Sequence, residues 1–456
     1  GGRAMSDYSG QHILILGLGQ TGWSCVRYLQ AQGAELRVAD SRENPPMLAE
    51  LQRDFPRIPL DRLNDDPGLL EGIDMLVVSP GLDLRLPLLV EARQRRLPII
   101  GDIELFARAA SAPVVAITGS NGKTTVTSLV GEMARAAGRE VRVGGNIGTP
   151  ALDLLPDDNA PQPDLYVLEL SSFQLELTES LKPAGAVVLN ISADHIDRHG
   201  SLEHYAAIKT SIYRGEGVAV VNKDDPLAAP LLDAGRKVSY FGLGKPQGET
   251  EYGLLGQGNG LSLARGDNEL LALSDLRIHG LHNAANALAA LALGEAAGLP
   301  MDAMLRALRN FAGLPHRCQW VAECGGVNWY NDSKGTNVGA TLAALRGLPG
   351  PVVLLAGGQA KGGDFSPWRE VLAEKGRALL LFGEDAAKIE AAAGATVTTE
   401  ILPTLEAAVE RAAKLARAGD SVLLSPGCAS FDMFSGYVER GERFTRAVKE
   451  LRACSA

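Results

Sequence analysis

A loop rich in small residues, placed between a strand and a helix, constrains this chain most. Residues 114–118 form a β-branched apolar run of strand length, and residues 126–137 are typical of a helix. Between them lie Gly119, Ser120, Asn121, Gly122, Lys123, Thr124 and Thr125. Small residues let backbone N–H groups turn towards an anion, and the helix N-terminus adds its dipole. We therefore predict that these seven residues bind a nucleoside triphosphate.

The loop is a shortened variant of the standard phosphate-binding pattern. That pattern has a glycine five residues before Gly122, where this chain has Ile117. The side chain of Lys123 offers a mobile ammonium to terminal phosphates, and the hydroxyl of Thr124 stands where such loops place a Mg²⁺ ligand. The alternative is an ordinary strand–turn–helix junction that binds nothing.

The rest of the chain predicts an α/β fold with three domains. Short apolar runs alternate with amphipathic helical stretches, which indicates parallel sheets with crossover helices, and 456 residues suggest about three domains. We expect a Rossmann-like domain at 5–105, a central P-loop ATPase-type domain at 106–312 and a Rossmann-like domain at 313–456. The stretch near 240–280 is glycine-rich and predicts a meander of short strands.

Composition excludes several classes of function. The net charge of −10 is spread without a Lys/Arg block, so we expect no nucleic-acid partner. No apolar run reaches membrane-spanning length and no signal-peptide pattern is present, so we expect a cytoplasmic protein without a membrane partner. The five cysteines form no C-x-x-C pair, which predicts free thiols and neither a zinc site nor a disulfide framework.

A second nucleotide-type turn lies near the start. Gly17-x-Gly19-x-x-Gly22 stands between a strand and a helix, and Asp40 ends the next strand. This arrangement allows close backbone approach to a diphosphate and places an acid within reach of a ribose. It does not distinguish NAD from another diphosphate-bearing nucleotide, and a merely tight turn is the alternative.

Two strand ends after the phosphate loop carry candidate metal ligands. Glu169 follows an apolar strand and is placed to hold Mg²⁺ directly or through water. His195 follows another strand and is a candidate for the active cleft; with His199 it has the spacing of a zinc pair, which we do not favour. Lys209 lies in the amphipathic stretch 202–213, and its pattern alone predicts a solvated lysine.

Polar clusters later in the chain indicate an anion-binding edge. Asn283 and Asn286 begin a helix with amides suited to a base edge, and Arg317 stands at a predicted domain boundary, where clefts form. Four further side chains follow predicted strands of the last domain and are suited to a carboxylate-bearing substrate. These are Lys334, Thr336, Lys361 and Ser430.

Taken together, the motifs resemble those of the Mur ligases, the ATP-dependent amide-bond ligases of peptidoglycan precursor synthesis. The matching segments span the chain in the expected order: 118–125, 169–174, 190–198, 282–286, 316–317 and 425–432. Within the family, the turn at 17–22 and the run Asp332-Ser333-Lys334-Gly335-Thr336-Asn337 are similar to the D-glutamate-adding members. The Asp-Asn-Pro-Arg motif typical of diaminopimelate addition is absent.

The resemblance implies substrates, cofactors and site residues. It implies ATP, UDP-N-acetylmuramoyl-L-alanine and D-glutamate as small-molecule substrates, an acyl-phosphate intermediate, two Mg²⁺ sites and a lysine carbamylated by CO₂ at Lys209, and we expect a monomer. It implies catalytic roles for Lys123, His195 and Lys209, and Mg²⁺ binding by Thr124, Glu169, His195 and Lys209. Besides the phosphate loop, ATP would contact Asn283, Asn286, Arg317 and Asp332. The uridine diphosphate substrate would contact Thr21, Asp40, Ser41, Arg42, Ser79, Gly81 and Asn146. D-glutamate would contact Lys334, Thr336, Lys361, Ser430 and Tyr437, the last replacing an expected phenylalanine.

Three alternatives remain at the level of sequence. A sibling ligase would add another amino acid or act on a folate, although folate ligases lack the leading dinucleotide-type block. An NAD-dependent oxidoreductase built on Gly17–Gly22 would leave the Gly-Lys-Thr-Thr loop unexplained. A catalytically inactive nucleotide-binding regulator would need a degraded amino-acid site, yet Lys334, Thr336 and Lys361 are all present.

Overall fold

The computed structural model describes residues 7–191 and 200–454, and it has an α/β fold built on three sheets. Contacts between Cα atoms divide the chain into two compact units. Unit 1 comprises Gly1–Leu255, Ala264–Glu269 and Asn286–Ala307, and unit 2 comprises Gly256–Leu263, Leu270–Ala285 and Leu308–Ala456. Within residues 7–191 and 200–454, no helix is both long enough and apolar enough to cross a membrane.

The first sheet has five parallel strands in the order β3-β2-β1-β4-β5. Its central strands are almost fully apolar and buried, because helices cover both faces of a parallel sheet. The strands are β1 (His12–Leu16), β2 (Glu35–Asp40), β3 (Leu60–Arg62), β4 (Met75–Val78) and β5 (Ile99–Ile100). The accompanying helices are α1 (Gln20–Ala31), α2 (Leu48–Asp54), α3 (Pro87–Gln94) and α4 (Asp102–Ala109).

The second sheet has nine strands in the order β14-β13-β12-β11-β10-β9-β6-β8-β7. Its strands are β6 (Val114–Thr118), β7 (Val141–Gly145), β8 (Leu165–Glu169), β9 (Gly185–Val188), β10 (Val218–Asn222), β11 (Val238–Phe241), β12 (Tyr252–Leu255), β13 (Ser262–Arg265) and β14 (Asn268–Ala272). The helices in this part of the chain are α5 (Lys123–Ala136), α6 (Ser172–Glu176), α7 (Leu202–Thr210), α8 (Leu281–Ala296) and α9 (Met301–Asn310). Short strands are present near 240–280 as predicted, but β11 runs parallel to β12, so the four strands do not form a simple meander.

The third sheet is parallel except for its first strand, in the order β15-β16-β20-β17-β18-β19. The strands are β15 (Gln319–Cys324), β16 (Val327–Asn331), β17 (Val352–Gly357), β18 (Gly376–Phe382), β19 (Thr398–Ile401) and β20 (Ser421–Leu424). The helices are α10 (Val338–Gly347), α11 (Trp368–Lys375), α12 (Ala386–Ala393), α13 (Leu405–Leu415) and α14 (Tyr437–Lys449). Separate apolar clusters, around Trp329 and Trp368, cover its two faces.

One expectation about cysteines is wrong. Cys324, at the end of β15, forms a disulfide with Cys454, whereas Cys25, Cys318 and Cys428 are free thiols. The two bonded cysteines are 130 residues apart in the sequence, so no local spacing announces the pair. They meet because the chain after α14 returns to β15.

Helix α4 is fixed to the segment before β9 by a buried carboxylate. Oε1 of Glu104 accepts hydrogen bonds from the backbone N–H groups of Glu179 and Ser180, each at 2.8 Å. Its Oε2 accepts from the Ser180 hydroxyl at 2.7 Å and from Nε of Arg108 at 2.8 Å. Burial alone would raise the pKa of Glu104, but these hydrogen bonds outweigh it and lower the pKa.

We predict that Glu104→Ala lowers the free energy of unfolding by about 2–3 kcal/mol, because it removes a buried carboxylate that accepts four hydrogen bonds. A carboxyl with a lowered folded-state pKa stabilises the fold above its unfolded pKa, and that contribution is lost as pH falls through the folded pKa. Urea unfolding at pH 7 and at pH 4 measures both effects. The difference in the free energy of unfolding between the wild type and Glu104→Ala is expected to be smaller at pH 4 than at pH 7.

The control is Glu132→Ala, since Glu132 pairs with Arg135 on an exposed helix face. It changes the free energy of unfolding by less than about 0.5 kcal/mol. A wild-type advantage over Glu104→Ala that does not depend on pH would contradict the role given to the Glu104 carboxylate.

Candidate active site

The predicted phosphate loop joins β6 to α5 at a point where the strand order of the second sheet reverses. Gly119 and Gly122 have φ values of 147° and 89°, a region that disfavours residues with a Cβ atom. A Cβ atom on Gly122 would lie 2.5 Å from Oδ1 of Asn286, and one on Gly119 would lie 3.0 Å from Cβ of Leu189. The glycines thus allow the backbone to approach its neighbours, among them Asn286, one of the residues that the resemblance implies for ATP.

Asn190 holds the loop through its side-chain amide. Its Oδ1 accepts hydrogen bonds from the N–H groups of Ser120 and Asn121 at 3.0 and 2.8 Å, and its Nδ2 donates to the Asn121 carbonyl at 2.9 Å. Asn190 follows β9, which pairs directly with β6. Asn190 opens the matching segment 190–198, but no role was predicted for it. Its position just after a strand that neighbours β6 was the sequence feature that could have predicted a contact with the loop.

A hydroxyl and a carboxylate meet beside the loop. Oγ1 of Thr124 lies 3.1 Å from both carboxylate oxygens of Glu169, which ends β8 and is buried. Burial lowers the pKa of Lys123, and the negative charge of Glu169 opposes that shift. Hydroxyl and carboxylate oxygens are ligands that Mg²⁺ prefers, so this pair fits one predicted magnesium position. Among the described residues, no three His, Cys, Asp or Glu side chains form a metal-binding group.

Lys209 is buried, so the pattern-based prediction of a solvated lysine is wrong. Its ammonium nitrogen lies 3.3 Å from Oγ of Ser120 and 4.5 Å from the ring centroid of Tyr205. Tyr205, one turn earlier on α7, is also buried, so the two residues lie on the same inward face of the helix. The side chain therefore reaches the phosphate loop. His195 and His199 lie in 192–199, outside the described residues.

The seven residues predicted to bind the uridine diphosphate substrate line one cavity in unit 1. The cavity has a volume of about 590 Å³ and lies at the carboxyl edge of the first sheet. Residues from the turn after β1, the end of β2 and the turn after β4 meet the loop after β7 there. Its lining includes Thr21, Asp40, Ser41, Arg42, Ser79, Gly81 and Asn146, together with Gly17 and Gly145.

Asp40 holds Arg42 at the wall of this cavity. Its carboxylate accepts hydrogen bonds from the Leu18 N–H at 2.7 Å, from the Arg42 N–H at 2.8 Å, and from Nε and Nη2 of Arg42 at 2.9 and 2.8 Å. Burial would raise the pKa of Asp40, but these bonds and the Arg42 charge lower it to about 2. A carboxylate offers about four acceptor positions, and all are used. In this arrangement Asp40 orients the exposed Arg42. A hydrogen bond between Asp40 and a ribose would require Arg42 to move.

Unit 2 brings Arg317, Asp332 and Lys334 together at the end of β16. Asp332 accepts hydrogen bonds from the Ser425 hydroxyl at 2.7 Å and from the Cys318 N–H at 3.0 Å. Burial raises the pKa of Asp332 to about 6, although these bonds and the charge of Arg317 oppose the shift. Burial and the charge of Arg317 both lower the pKa of Lys334. Asn283, near the start of α8, donates from Nδ2 to the His279 carbonyl at 2.9 Å.

The remaining predicted amino-acid contacts lie on neighbouring loops of the same unit. Gln359 and Ala429 exchange two backbone hydrogen bonds of 3.0 Å, which joins the loop carrying Lys361 to the loop carrying Ser430. Tyr437 begins α14, and its ring centroid lies 5.8 Å from Nζ of Lys334 and 6.0 Å from the ring centroid of His316. Lys334, Thr336, Lys361 and Tyr437 are exposed, whereas Ser430 is buried.

We predict that Asn190→Ala weakens ATP binding at least about tenfold, because three hydrogen bonds that hold the loop, each worth about 0.5 kcal/mol or more, are lost. Titration calorimetry with ATP and magnesium measures the change, and Asn268→Ala on an exposed strand position is the control. Unchanged or tighter binding in Asn190→Ala would contradict this role, because it would mean that Asn190 competes with the nucleotide for the loop amides.

Comparison with known proteins matches three consecutive parts of the chain to one family. Residues 11–101 match a family described as Mur ligase MurD-like, N-terminal domain, residues 117–294 match Mur ligase middle domain, and residues 316–428 match Mur ligase, glutamate ligase domain.

Relatives align over nearly the full length. The UDP-N-acetylmuramoylalanine–D-glutamate ligase of Nitrosococcus oceani is 52% identical over 443 residues, which is 97% of each chain. The ligase of the same name from Pseudomonas aeruginosa is 51% identical over 452 residues, 98% of this chain and all of that one.

Solved structures share the fold at low identity. A UDP-N-acetylmuramoyl-L-alanyl-D-glutamate–2,6-diaminopimelate ligase has a TM-score of 0.58 at 19% identity and covers 92% of this chain and 87% of its own. The UDP-N-acetylmuramate-alanine ligase of Thermotoga maritima has a TM-score of 0.53 at 19% identity, over 95% and 98%. Three matched domains and half-identical relatives of full length show that the chain belongs to the Mur ligase family.

Proposed function

We propose that this protein adds D-glutamate to UDP-N-acetylmuramoyl-L-alanine, using ATP, in peptidoglycan precursor synthesis. The observation that carries the proposal is the identity of 51–53% over nearly the whole chain to relatives named UDP-N-acetylmuramoylalanine–D-glutamate ligase. The geometry supports it, since a phosphate loop with a buried acid and a buried lysine lies in the same unit as a cavity suited to a nucleotide-linked substrate.

The proposed reaction activates a carboxylate. The terminal alanine carboxylate attacks the γ-phosphorus of ATP, giving an acyl phosphate and ADP. The amine of D-glutamate then attacks the acyl carbon, and phosphate leaves from a tetrahedral intermediate as the amide forms. Two anions must approach each other in the first step, so fixed positive charge near the γ-phosphate lowers the barrier.

Lys123 supplies that charge from the chain itself. It opens α5 directly after Gly122, so its ammonium and the helix N-terminus act on the same phosphates. Asn190 fixes the loop in advance, which reduces the reorganisation that nucleotide binding requires. Asn283, Asn286, Arg317 and Asp332 are proposed to hold the rest of ATP.

Magnesium ions complete the proposed site. When bound they neutralise phosphate oxygens and orient them for in-line attack. We propose Thr124 and Glu169 for one ion, and His195 with Lys209 for the other. The support for the first set is its oxygen chemistry and short separation, and for Lys209 it is burial beside Ser120. In its unmodified form, the Lys209 ammonium makes a cation–π contact with the ring of Tyr205. Carbamylation would replace this contact by metal binding.

The two other substrates are assigned to separate parts of the chain. We propose that the 590 Å³ cavity binds the uridine diphosphate and, through Asn146, the muramoyl-alanine arm. We propose that Lys334, Thr336, Lys361, Ser430 and Tyr437 bind D-glutamate, whose carboxylates suit the two lysines. The domain limits 5–105, 106–312 and 313–456 remain our proposal, supported by one sheet within each range. A cytoplasmic location is likewise proposed, in keeping with the dependence on ATP, and so is a monomeric state.

Phosphate release from ATP, measured with one component omitted at a time, tests the proposal. Turnover is expected only when ATP, magnesium, UDP-N-acetylmuramoyl-L-alanine and D-glutamate are all present. Replacing D-glutamate by diaminopimelate, or the muramoyl substrate by its precursor with L-alanine, is expected to give no turnover. Turnover with either replacement would assign the chain to a sibling ligase, and no turnover with any combination would favour a nucleotide-binding regulator.

A second prediction separates the roles of the two lysines. Lys209→Ala is expected to lose most turnover and to regain part of it with a short-chain carboxylic acid, since the added carboxylate replaces the carbamate. Lys123→Ala is the matched control: it also loses turnover, and a carboxylic acid does not restore it because this lysine acts as a cation. Rescue of Lys209→Ala by an alkylamine instead of an acid would overturn carbamylation.

A further inference from the structure

A buried arginine connects the loops at the carboxyl edge of the third sheet. Arg440 lies on α14, and its side chain is fully buried. Its Nε donates to Oγ of Ser333 at 3.0 Å, its Nη2 to the Ser333 carbonyl at 2.6 Å, and its Nη1 to the Cys428 carbonyl at 3.0 Å. Ser333 follows β16 and Cys428 follows β20, so one guanidinium spans two loops that are far apart in sequence.

Each segment joined by Arg440 carries a residue of the proposed amino-acid site. Lys334 is the neighbour of Ser333, and Ser430 lies two residues after Cys428. The Ser333 hydroxyl also donates to the Tyr437 carbonyl at 2.6 Å, which attaches the first turn of α14 to the same group. This set of hydrogen bonds therefore helps to fix the relative positions of Lys334, Ser430 and Tyr437, together with the bond of 2.8 Å from the Gly427 N–H to the Gly335 carbonyl.

The buried group also remains charged. Burial lowers the pKa of Arg440 to about 10, while the nearby Cys428, Asp432 and Asp332 oppose the shift, so the guanidinium is protonated at neutral pH. Within the part of the chain that the structure describes, its three hydrogen-bond acceptors are neutral oxygens, and no ion pair includes it. The positive charge of Arg440 thus adds to that of Lys334, which lies on the loop that Arg440 contacts through Ser333.

Fold stability alone does not account for this residue. Replacing a buried ionic group by an apolar side chain of similar volume is often neutral or stabilising, because desolvation of the charge is costly. The planar guanidinium, by contrast, offers five donors in a fixed fork, and here that fork reaches both loops at once. Lysine has the same charge but a single donor atom, which lacks the reach to bridge the two loops in this way.

We propose that Arg440 is a positioning residue for the acceptor amino acid. It sets the separation of the loop bearing Lys334 from the loop bearing Ser430, and it adds positive charge behind a site that takes a dicarboxylate. This inference rests on the proposed function. The inference goes beyond the proposed function because it makes the affinity for D-glutamate depend on Arg440, a residue that the substrate does not contact.

Steady-state kinetics of Arg440→Lys and Arg440→Gln test the proposal, with KM measured separately for all three substrates. The KM for D-glutamate is expected to rise about tenfold in Arg440→Lys, which equals about 1.4 kcal/mol, and further in Arg440→Gln, which also loses the charge. The KM for the muramoyl substrate is expected to stay within about twofold, because its proposed cavity lies in unit 1. Arg443→Gln is the matched control, since Arg443 is on the same helix and pairs with Glu406 near the surface.

Ser333→Ala keeps the proposal falsifiable if the Arg440 variants do not fold. It removes the hydroxyl that accepts from Arg440 and donates to the Tyr437 carbonyl, and it is expected to raise the KM for D-glutamate about threefold with little change in melting temperature. A folded variant with an unchanged KM for D-glutamate, or with equal increases in KM for all three substrates, would overturn the proposal. If the wild-type protein accepts another amino acid instead, the proposed function fails, and the same comparison made with that amino acid decides the role of Arg440.

Discussion

The direction of parallel strands is the constraint on which this structure depends. Parallel strands end at the same edge of a sheet, so loops that are distant in sequence meet there. In the first sheet this edge carries the turns after β1 and β4, which line one cavity. In the second it carries the phosphate loop, Glu169 and Asn190, and in the third it carries the loops of Lys334, Lys361 and Ser430.

Buried polar side chains fix these converging loops. Glu104, Asn190 and Arg440 each make at least three hydrogen bonds to loop segments that lie beyond the ends of the strands. An unsatisfied buried donor or acceptor costs more than a made hydrogen bond gains, so such a group strongly favours one arrangement of its loops. This accounts for polar groups in positions where apolar packing alone would leave the loops free to move.

Much of the fold followed from patterns that are local in sequence. β6 was predicted at its observed bounds, and α5 begins three residues earlier than expected, at Lys123. The residues assigned to the uridine site by resemblance do line one cavity. The contacts of Asn190 and Arg440, the disulfide of Cys324 with Cys454 and the burial of Lys209 were not predicted, since each depends on segments brought together only by folding.

By itself the sequence determined the α/β class, the strand–loop–helix unit around Lys123 and the family, because periodicity, glycine placement and ordered motifs are properties of neighbouring residues. Tertiary structure decided which partners those residues have. It brought the Asp40 carboxylate to the Leu18 N–H, turned two phosphate-loop amides towards Asn190 and buried the ammonium of Lys209 beside Ser120. These contacts depend on distances between chain segments, and a linear pattern does not specify such distances.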